Sequence, residues 1–178
     1  MSVAEAAIDD IIFMIKADEA GREAACAAAR AGLPADVSGR FRPENVIHAS
    51  LVLAGPANDP RVEPGAREIA RLVRAARFEL VFDTLVGFGG PKGVLALTCS
   101  AIPPQWAPLR NQLSQAARRL GRRVEGGATP HLTVGYGFAA TAPMRLSAPV
   151  VWTVDEFLLV RSFKGEARHE DLARWGLQ

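Results

Sequence analysis

The chain has 178 residues, of which 49% are hydrophobic and 22% are charged, a balance typical of a folded domain and not of a disordered segment. No apolar run approaches the roughly 20 residues that a membrane-spanning helix needs. The N-terminus is acidic and lacks the basic region of a secretory signal. We therefore expect a single domain over residues 1–178, located in the cytoplasm. The net charge of +2 and the pI of about 8.8 permit an anionic substrate but do not demonstrate one.

The first half of the chain alternates short apolar runs with amphipathic segments, which predicts strands and helices in turn. Three strands are expected, at residues 11–16, 46–53 and 78–88. Asp18 is placed to cap a helix over residues 19–31 that stops at Gly32, and a second helix is expected over residues 64–77. The polar segments 40–45 and 55–60 are expected to be loops.

The second half repeats this pattern of strand, helix and strand. Strands are expected at residues 94–99, 131–136 and 150–162. A helix is expected to start at Pro103-Pro104 and to end at Gly121. Residues 170–177 are expected to form a turn of helix, with Leu172 and Trp175 facing inward.

The two halves contain an internal repeat. Ile11 precedes His48 by 37 positions, and Val94 precedes His131 by the same 37 positions. In each half a strand, a helix and a loop lead to a strand that opens with histidine, any residue, a hydroxyl residue and an apolar residue. The two motifs are His48-Ala49-Ser50-Leu51 and His131-Leu132-Thr133-Val134.

Alternation along a strand predicts where these side chains point. Residues i and i+2 share a face, so His48 projects with Ser50 and His131 projects with Thr133. If the halves pack about a pseudo-two-fold axis, the two pairs meet across one cleft. One neutral imidazole then takes a proton from water, and a protonated imidazole donates to a departing ribose oxygen. The hydroxyls are suited to bind the non-bridging phosphate oxygens.

The sequence offers little support for a metal site. It has only three histidines, and no carboxylate cluster accompanies the two motifs. Cys26 and Cys99 lack metal-ligand spacing and are expected to be ordinary buried thiols. The third histidine, His169, lies in a charged stretch without a hydroxyl residue two positions later, and we expect it to have no special role. No cofactor is expected.

Five segments of the chain, together with the paired motifs, resemble the two-histidine phosphoesterase superfamily. The resemblance is to its LigT-like branch, the 2′-5′ RNA ligases or RNA 2′,3′-cyclic phosphodiesterases. The matching segments are residues 11–18, 43–51, 129–134, 157–162 and 172–177. The resemblance implies an α+β fold of two lobes, in which two antiparallel sheets flanked by helices surround a central cleft with pseudo-two-fold symmetry.

The resemblance also implies roles for individual residues. His48 would be the general acid for the ribose 3′ oxygen, and His131 the general base for water. Ser50 and Thr133 would hold the phosphate, and the product would be a 2′-phosphomonoester. Two further candidates are named for substrate contact and have plain structural alternatives: Phe13, near the base or in the core, and Arg161, on the phosphate or in solvent.

The sequence departs from the family pattern in two places. His169 stands where a tyrosine is common, which leaves that contact open. Ser50 stands where threonine is frequent, and it supplies the same hydroxyl with looser rotamer control.

Three functions remain open on the sequence alone. The first is hydrolysis of cyclic phosphates on RNA ends or nucleosides. The second is action on another small cyclic phosphate or on 2′-5′ oligonucleotides, and the third is binding of RNA ends without turnover. We expect a monomer that does not act on membranes. Arginine clusters that face either RNA or solvent are found at 118–119, at 122–123 and at 71, 74 and 77.

Overall fold

The computed structural model describes residues 8–90, 92–124 and 129–178. Within these ranges the chain forms nine strands, three α-helices and one short 3-10 helix, Glu44–Val46. The strands are β1 Asp10–Ile15, β2 Arg40–Phe41, β3 Ala49–Pro56, β4 Phe78–Gly89, β5 Val94–Thr98, β6 His131–Tyr136, β7 Met144–Val154, β8 Glu156–Phe163 and β9 Arg168–Gly176. The helices are α1 Glu19–Ala31, α2 Val62–Leu72 and α3 Trp106–Arg119. None of the helices in the described residues is long and apolar enough to cross a membrane.

Helix α1 has the boundaries that its capping residues predict. The Asp18 side chain accepts a hydrogen bond from the Gly21 N–H at 2.8 Å, which satisfies one of the unpaired donors of the first turn. The helix ends before Gly32, as expected. Its small apolar residues are buried: Ala25, Cys26 and Ala29.

Helix α2 is shorter than the periodicity predicts and ends at Leu72 instead of residue 77. The C-terminal residue is the physical reason. Gln178 accepts a backbone hydrogen bond from the Arg77 N–H and donates its own N–H to the Ala75 carbonyl. These bonds hold the residues after α2 in an extended conformation, so they cannot continue the helix.

The nine strands belong to one hydrogen-bonded antiparallel sheet, with the order β7-β4-β5-β6-β3-β1-β8-β9 and with β2 attached to β6. The two sheets that we expected correspond to the two halves of this sheet. The halves are joined only between β3 and β6, through the single register pair Ala49↔Leu132. In each half the strand that opens the sequence repeat, β1 or β5, lies directly beside the strand that carries the motif.

The helices tie the two halves together. Helix α1, from the first half, packs against β7, and α3, from the second half, packs against β3. The resulting core includes large side chains from both halves, such as Phe13, Phe157, Phe82, Trp152 and Leu132. The motif strands are therefore fixed at the centre of the sheet by contacts on their helix-facing side.

The C-terminal region corrects two predictions. Residues 150–162 are not one strand, because the chain bends at Asp155 between β7 and β8. Residues 170–177 are not helical but belong to β9, which pairs with β8 from Glu156↔Gly176 to Phe163↔Arg168. The pairing has a β-bulge, in which Leu172 is an extra residue of β9 without a partner on β8. Because of this bulge, Leu172 and Trp175 both pack against the core, at the three-residue spacing that is typical of a helix.

Candidate active site

The two histidine motifs meet at the centre of the sheet. Ala49 and Leu132 are directly paired, and both are fully buried on the helix side. Their neighbours therefore face the opposite side. Continuing this antiparallel register by one residue in each direction sets Ser50 across from His131 and His48 across from Thr133. The structure thus brings together the four motif side chains in the way that strand alternation predicts.

The two imidazoles are anchored in the same way. The His48 Nδ1–H donates to the Val46 carbonyl at 2.8 Å, and the His131 Nδ1–H donates to the Thr129 carbonyl at 2.9 Å. In both cases the acceptor lies two residues before the histidine. Because a carbonyl only accepts, the neutral form of each ring has its proton on Nδ1 and its lone pair on Nε2. Each ring is therefore oriented so that Nε2 is the atom that gains or loses a proton.

His48 is neutral in the free protein. Burial lowers the pKa of His48 to about 3, and the nearby charges of His169, Arg42 and Lys16 act in the same direction, whereas the bond to the Val46 carbonyl opposes them. Its Nε2 accepts a hydrogen bond from the Ser50 hydroxyl at 3.1 Å. The two polar side chains of the first motif are thus hydrogen-bonded to each other.

His169, for which the sequence indicates no special role, lies against His48. The two rings are in edge-to-face contact, with centroids 4.9 Å apart and an interplanar angle of 69°. Burial lowers the pKa of His169 to about 4, and the positive charges of Lys16 and Arg42 contribute. Its Nδ1 is buried and has no hydrogen-bond partner among the described residues. The β8–β9 hairpin brings His169 to the site. The sequence analysis missed this contact because it predicted a helix at residues 170–177 in place of the hairpin.

These two histidines are expected to make the protein less stable in acid. The unfolded chain binds protons at histidine near pH 6.5, about the ordinary pKa, whereas folded His169 and His48 bind them only near pKa values of about 4 and about 3. Below pH 6.5 the unfolded state therefore holds more protons, and the free energy of unfolding falls as the pH is lowered. For His169 the loss is complete near its folded pKa and amounts to at most roughly 3 kcal/mol.

Urea denaturation at about pH 7 and about pH 4.5 measures this loss. His169→Phe keeps an aromatic ring against His48 and removes one titrating group, so the variant should lose less stability between the two pH values than the wild type. An equal loss in both proteins would show that His169 titrates normally in the folded state.

A cavity of about 400 Å³ lies beside the second motif. Ser50 and His131 both line it, together with Arg110, Arg122 and Arg123. The Arg110 Nε–H donates to the Leu51 carbonyl at 2.8 Å, which ties this buried guanidinium to the motif strand β3. Of the arginine clusters in the sequence, the pair at 122–123 therefore faces the site, whereas Arg119 forms an ion pair with Glu68 on the helix side.

Phe13, the aromatic candidate for substrate contact, is in the core and not in the site. It is fully buried and packs against Phe157 and Trp175, with ring centroids 6.1 and 6.5 Å away. Of the two positions that the sequence leaves open for Phe13, near the base or in the core, the structure shows the core. On β1 the residue that pairs with Ser50 is Met14, so the site-facing residues of this strand are those that alternate with Phe13.

Arg161, the second candidate for substrate contact, is partly exposed and forms an ion pair with Asp9. Its Nε and Nη2 atoms donate to one carboxylate oxygen of Asp9, at 3.0 and 2.8 Å. On the sheet it pairs with Ile11, at the opposite end of β1 from Ile15, which pairs with Ala49 beside His48. Arg161 therefore forms an ion pair with Asp9 within the chain. The two cysteines are buried, as expected.

Comparison with known proteins identifies the family and the fold of the chain. The family model described as the 2′-5′ RNA ligase superfamily matches residues 22–166. Escherichia coli LigT in complex with 3′-AMP has a TM-score of 0.79 at 24% identity, over 97% of this chain and 99% of that chain. TT0787 of Thermus thermophilus has a TM-score of 0.72 at 21% identity, over 94% and 97% of the two chains. No curated protein sequence matches. The structural matches confirm the α+β fold.

Proposed function

Because the chain belongs to the 2′-5′ RNA ligase superfamily, we propose that it hydrolyses 2′,3′-cyclic phosphates on RNA ends or nucleosides to 2′-phosphomonoesters. The observation that carries the proposal is the matched anchoring of His48 and His131, each of which has Nδ1 on a backbone carbonyl and so keeps Nε2 as its proton-transfer atom. Two such nitrogens on one face of a sheet provide the acid and the base that phosphodiester hydrolysis needs.

The proposed reaction is a single displacement at phosphorus. His131 Nε2 takes a proton from water, and the water oxygen forms a new bond to phosphorus. The bond from phosphorus to the ribose 3′ oxygen breaks, and His48 Nε2 donates its proton to that oxygen. The product keeps the phosphate on the 2′ oxygen, and one proton passes from His131 back to His48 through solvent. The Ser50 and Thr133 hydroxyls donate to the non-bridging oxygens, where negative charge increases.

His48 must gain a proton before it can act as the acid. It is neutral in the free protein because its pKa is lowered to about 3. A phosphate anion beside Nε2 favours the protonated ring and raises this pKa. Substrate binding therefore shifts His48 toward its charged form, and Ser50, released from Nε2, can turn its hydroxyl to the phosphate.

The relatives support a nucleotide-sized substrate. Escherichia coli LigT has been solved with 3′-AMP, a nucleoside monophosphate, and with phosphate. We further propose that the protein is a monomer, that it uses no metal and that it acts in the cytoplasm.

The test is phosphorus NMR of the products formed from a panel of substrates in excess EDTA. The panel contains a nucleoside 2′,3′-cyclic phosphate, an oligonucleotide with a cyclic phosphate end, a 2′-5′ oligonucleotide and a small cyclic phosphate without a base. We expect 2′-phosphate from the first two substrates. Turnover of only the last two substrates would show that the proposed substrate class is wrong. Binding of the cyclic-ended oligonucleotide without any product would show that the protein binds RNA ends and does not hydrolyse them.

A further inference from the structure

His169 is a titratable residue beside the motifs that the proposed mechanism does not use. It lies on β9, where it pairs with Ser162 of β8. Its ring is in edge-to-face contact with the His48 ring, with the centroids 4.9 Å apart. Its Nδ1 atom is buried and has no hydrogen-bond partner among the described residues. The contribution of this side chain to the site is therefore its ring contact with His48 and not a hydrogen bond through Nδ1.

The His169 ring separates His48 from a cavity of about 500 Å³. The cavity lies between the segment that contains β2 and the β8–β9 hairpin, and Arg42 and His169 both line it. His48 is not among the described residues that line this cavity, although its ring touches that of His169. His169 therefore closes the side of His48 that would otherwise face the cavity and its water.

The two motif histidines differ in this covering. Both have Nδ1 on the carbonyl of the residue two positions earlier. His131 lines the open cavity beside the second motif, whereas His48 is covered by His169. Strand β9 also packs against the 3-10 helix that ends at Val46, the residue whose carbonyl accepts from His48. The β8–β9 hairpin thus holds both the ring that covers His48 and the helix that anchors it.

The surroundings of the two rings favour their neutral forms. The cations that face both rings are Lys16, after β1, and Arg42, after β2, and the carboxylate that faces His169 is Asp171 of β9. Lys16 is itself paired with Asp171. Burial is the largest cause of the lowered pKa of each ring, to about 3 for His48 and about 4 for His169. Each ring is part of the surface that buries the other, and a proton on one ring opposes a proton on the other.

We propose that His169 is a positioning residue for the catalytic acid. Its ring shields His48 from water and holds it neutral in the free protein, so that His48 takes up its proton only when a phosphate anion lies beside Nε2. This role rests on the proposed function, in which His48 is the acid, whereas the shielding is a property of the free protein.

Histidine NMR tests the shielding without any turnover. The chain has only three histidines, so long-range proton–nitrogen spectra of histidine-labelled protein can be assigned by substitution, one ring at a time. The variants are His169→Ala, which removes the ring, and His169→Phe, which keeps an aromatic ring without a titrating group. The His131 signals are the internal control, and urea midpoints at each pH confirm that the proteins are folded.

In the wild type the His48 signals should remain those of a neutral ring from about pH 8 to about pH 5, because its pKa is about 3. In His169→Ala they should titrate within this range, since the exposed ring approaches the ordinary pKa of ~6.5. His169→Phe should behave like the wild type. Adding adenosine 2′-monophosphate at about pH 6 should shift the wild-type His48 signals toward those of the charged ring.

The pH dependence of kcat/KM for a nucleoside 2′,3′-cyclic phosphate tests the catalytic consequence, since it reports ionisations of the free protein. On the acid side, activity is lost where both motif histidines carry a proton and no base remains. The wild type should keep its kcat/KM between about pH 6 and about pH 4.5, because His48 is protonated only near its pKa of about 3. His169→Ala should lose about threefold or more over this range, because its His48 binds a proton nearer to the ordinary pKa, and His169→Phe should not.

The outcomes separate the shielding from the hydrolysis. A His48 ring that titrates near pH 6.5 in the wild type, or that stays neutral in folded His169→Ala, would overturn the shielding. The shielding would also be overturned by a His169→Phe variant that behaves like His169→Ala, and by a wild-type His48 that stays neutral with adenosine 2′-monophosphate bound. These wild-type measurements decide the question even where His169→Ala does not fold. The expected spectra without turnover of any cyclic phosphate would support the shielding and overturn the hydrolysis.

Discussion

Alanine at either motif histidine is expected to lower kcat for a 2′,3′-cyclic phosphate by roughly 10²–10⁴, the usual contribution of a positioned general acid or base. Each imidazole is held by one backbone carbonyl, Val46 for His48 and Thr129 for His131. The loss should therefore come from proton transfer and not from a collapsed site. Steady-state kinetics, with urea midpoints to confirm that the variants remain folded, make this measurement. Full activity in either variant would disprove the mechanism.

A substrate with sulfur in place of the 3′ oxygen separates the two roles. A thiolate leaves without prior protonation far more readily than an alkoxide, because the pKa of a thiol is only about 8.5. The His48→Ala variant should recover most of its activity on this substrate, since it lacks only the acid. The His131→Ala variant should not recover, because water still has to be deprotonated. The opposite pattern would exchange the roles assigned to the two histidines.

The central site was predictable because its pattern is local. Alternation along a strand fixes which face each motif residue takes, and the register pair Ala49↔Leu132 confirms that face. The repeat of 37 positions further predicted equivalent strands, and β3 and β6 lie side by side at the centre of the sheet.

The rest of the site depends on contacts between distant parts of the chain. His169 reaches His48 only because β8 and β9 form a hairpin, and the irregular pairing at Leu172 made that region resemble a helix. Arg42 and Arg168 line one groove although more than a hundred residues separate them. Hydrophobic periodicity within one segment does not predict a contact with a distant segment.

Phe13 shows that the local pattern sometimes contradicts a family resemblance. Ile11, Phe13 and Ile15 share one face of β1 and are all buried in the main core, whereas Met14 belongs to a separate cluster with Leu158 and Val160. Alternation alone therefore groups Phe13 with the core residues, and the structure agrees with alternation.

Phe13→Ala is expected to lower the free energy of unfolding by about 3–5 kcal/mol, because it removes a fully buried ring and leaves a cavity. This is a large part of the roughly 5–15 kcal/mol that stabilises a typical domain. Phe88→Ala is the matched control, since Phe88 is 59% exposed, and its cost should be within about 0.5 kcal/mol. Urea denaturation of the three proteins measures both effects.

Phe13→Leu distinguishes packing from substrate contact. Leucine keeps most of the apolar volume, so the variant should fold with a smaller loss of stability than Phe13→Ala. If Phe13 acts only through the core beside Phe157 and Trp175, kcat/KM per folded molecule should be unchanged for cyclic phosphates of both purine and pyrimidine nucleosides. A loss of kcat/KM that differs between the bases, at an unchanged urea midpoint, would place the ring against the substrate after all. Unchanged kinetics together with a lowered midpoint would show that the Phe13 side chain stabilises the fold and does not contact the substrate.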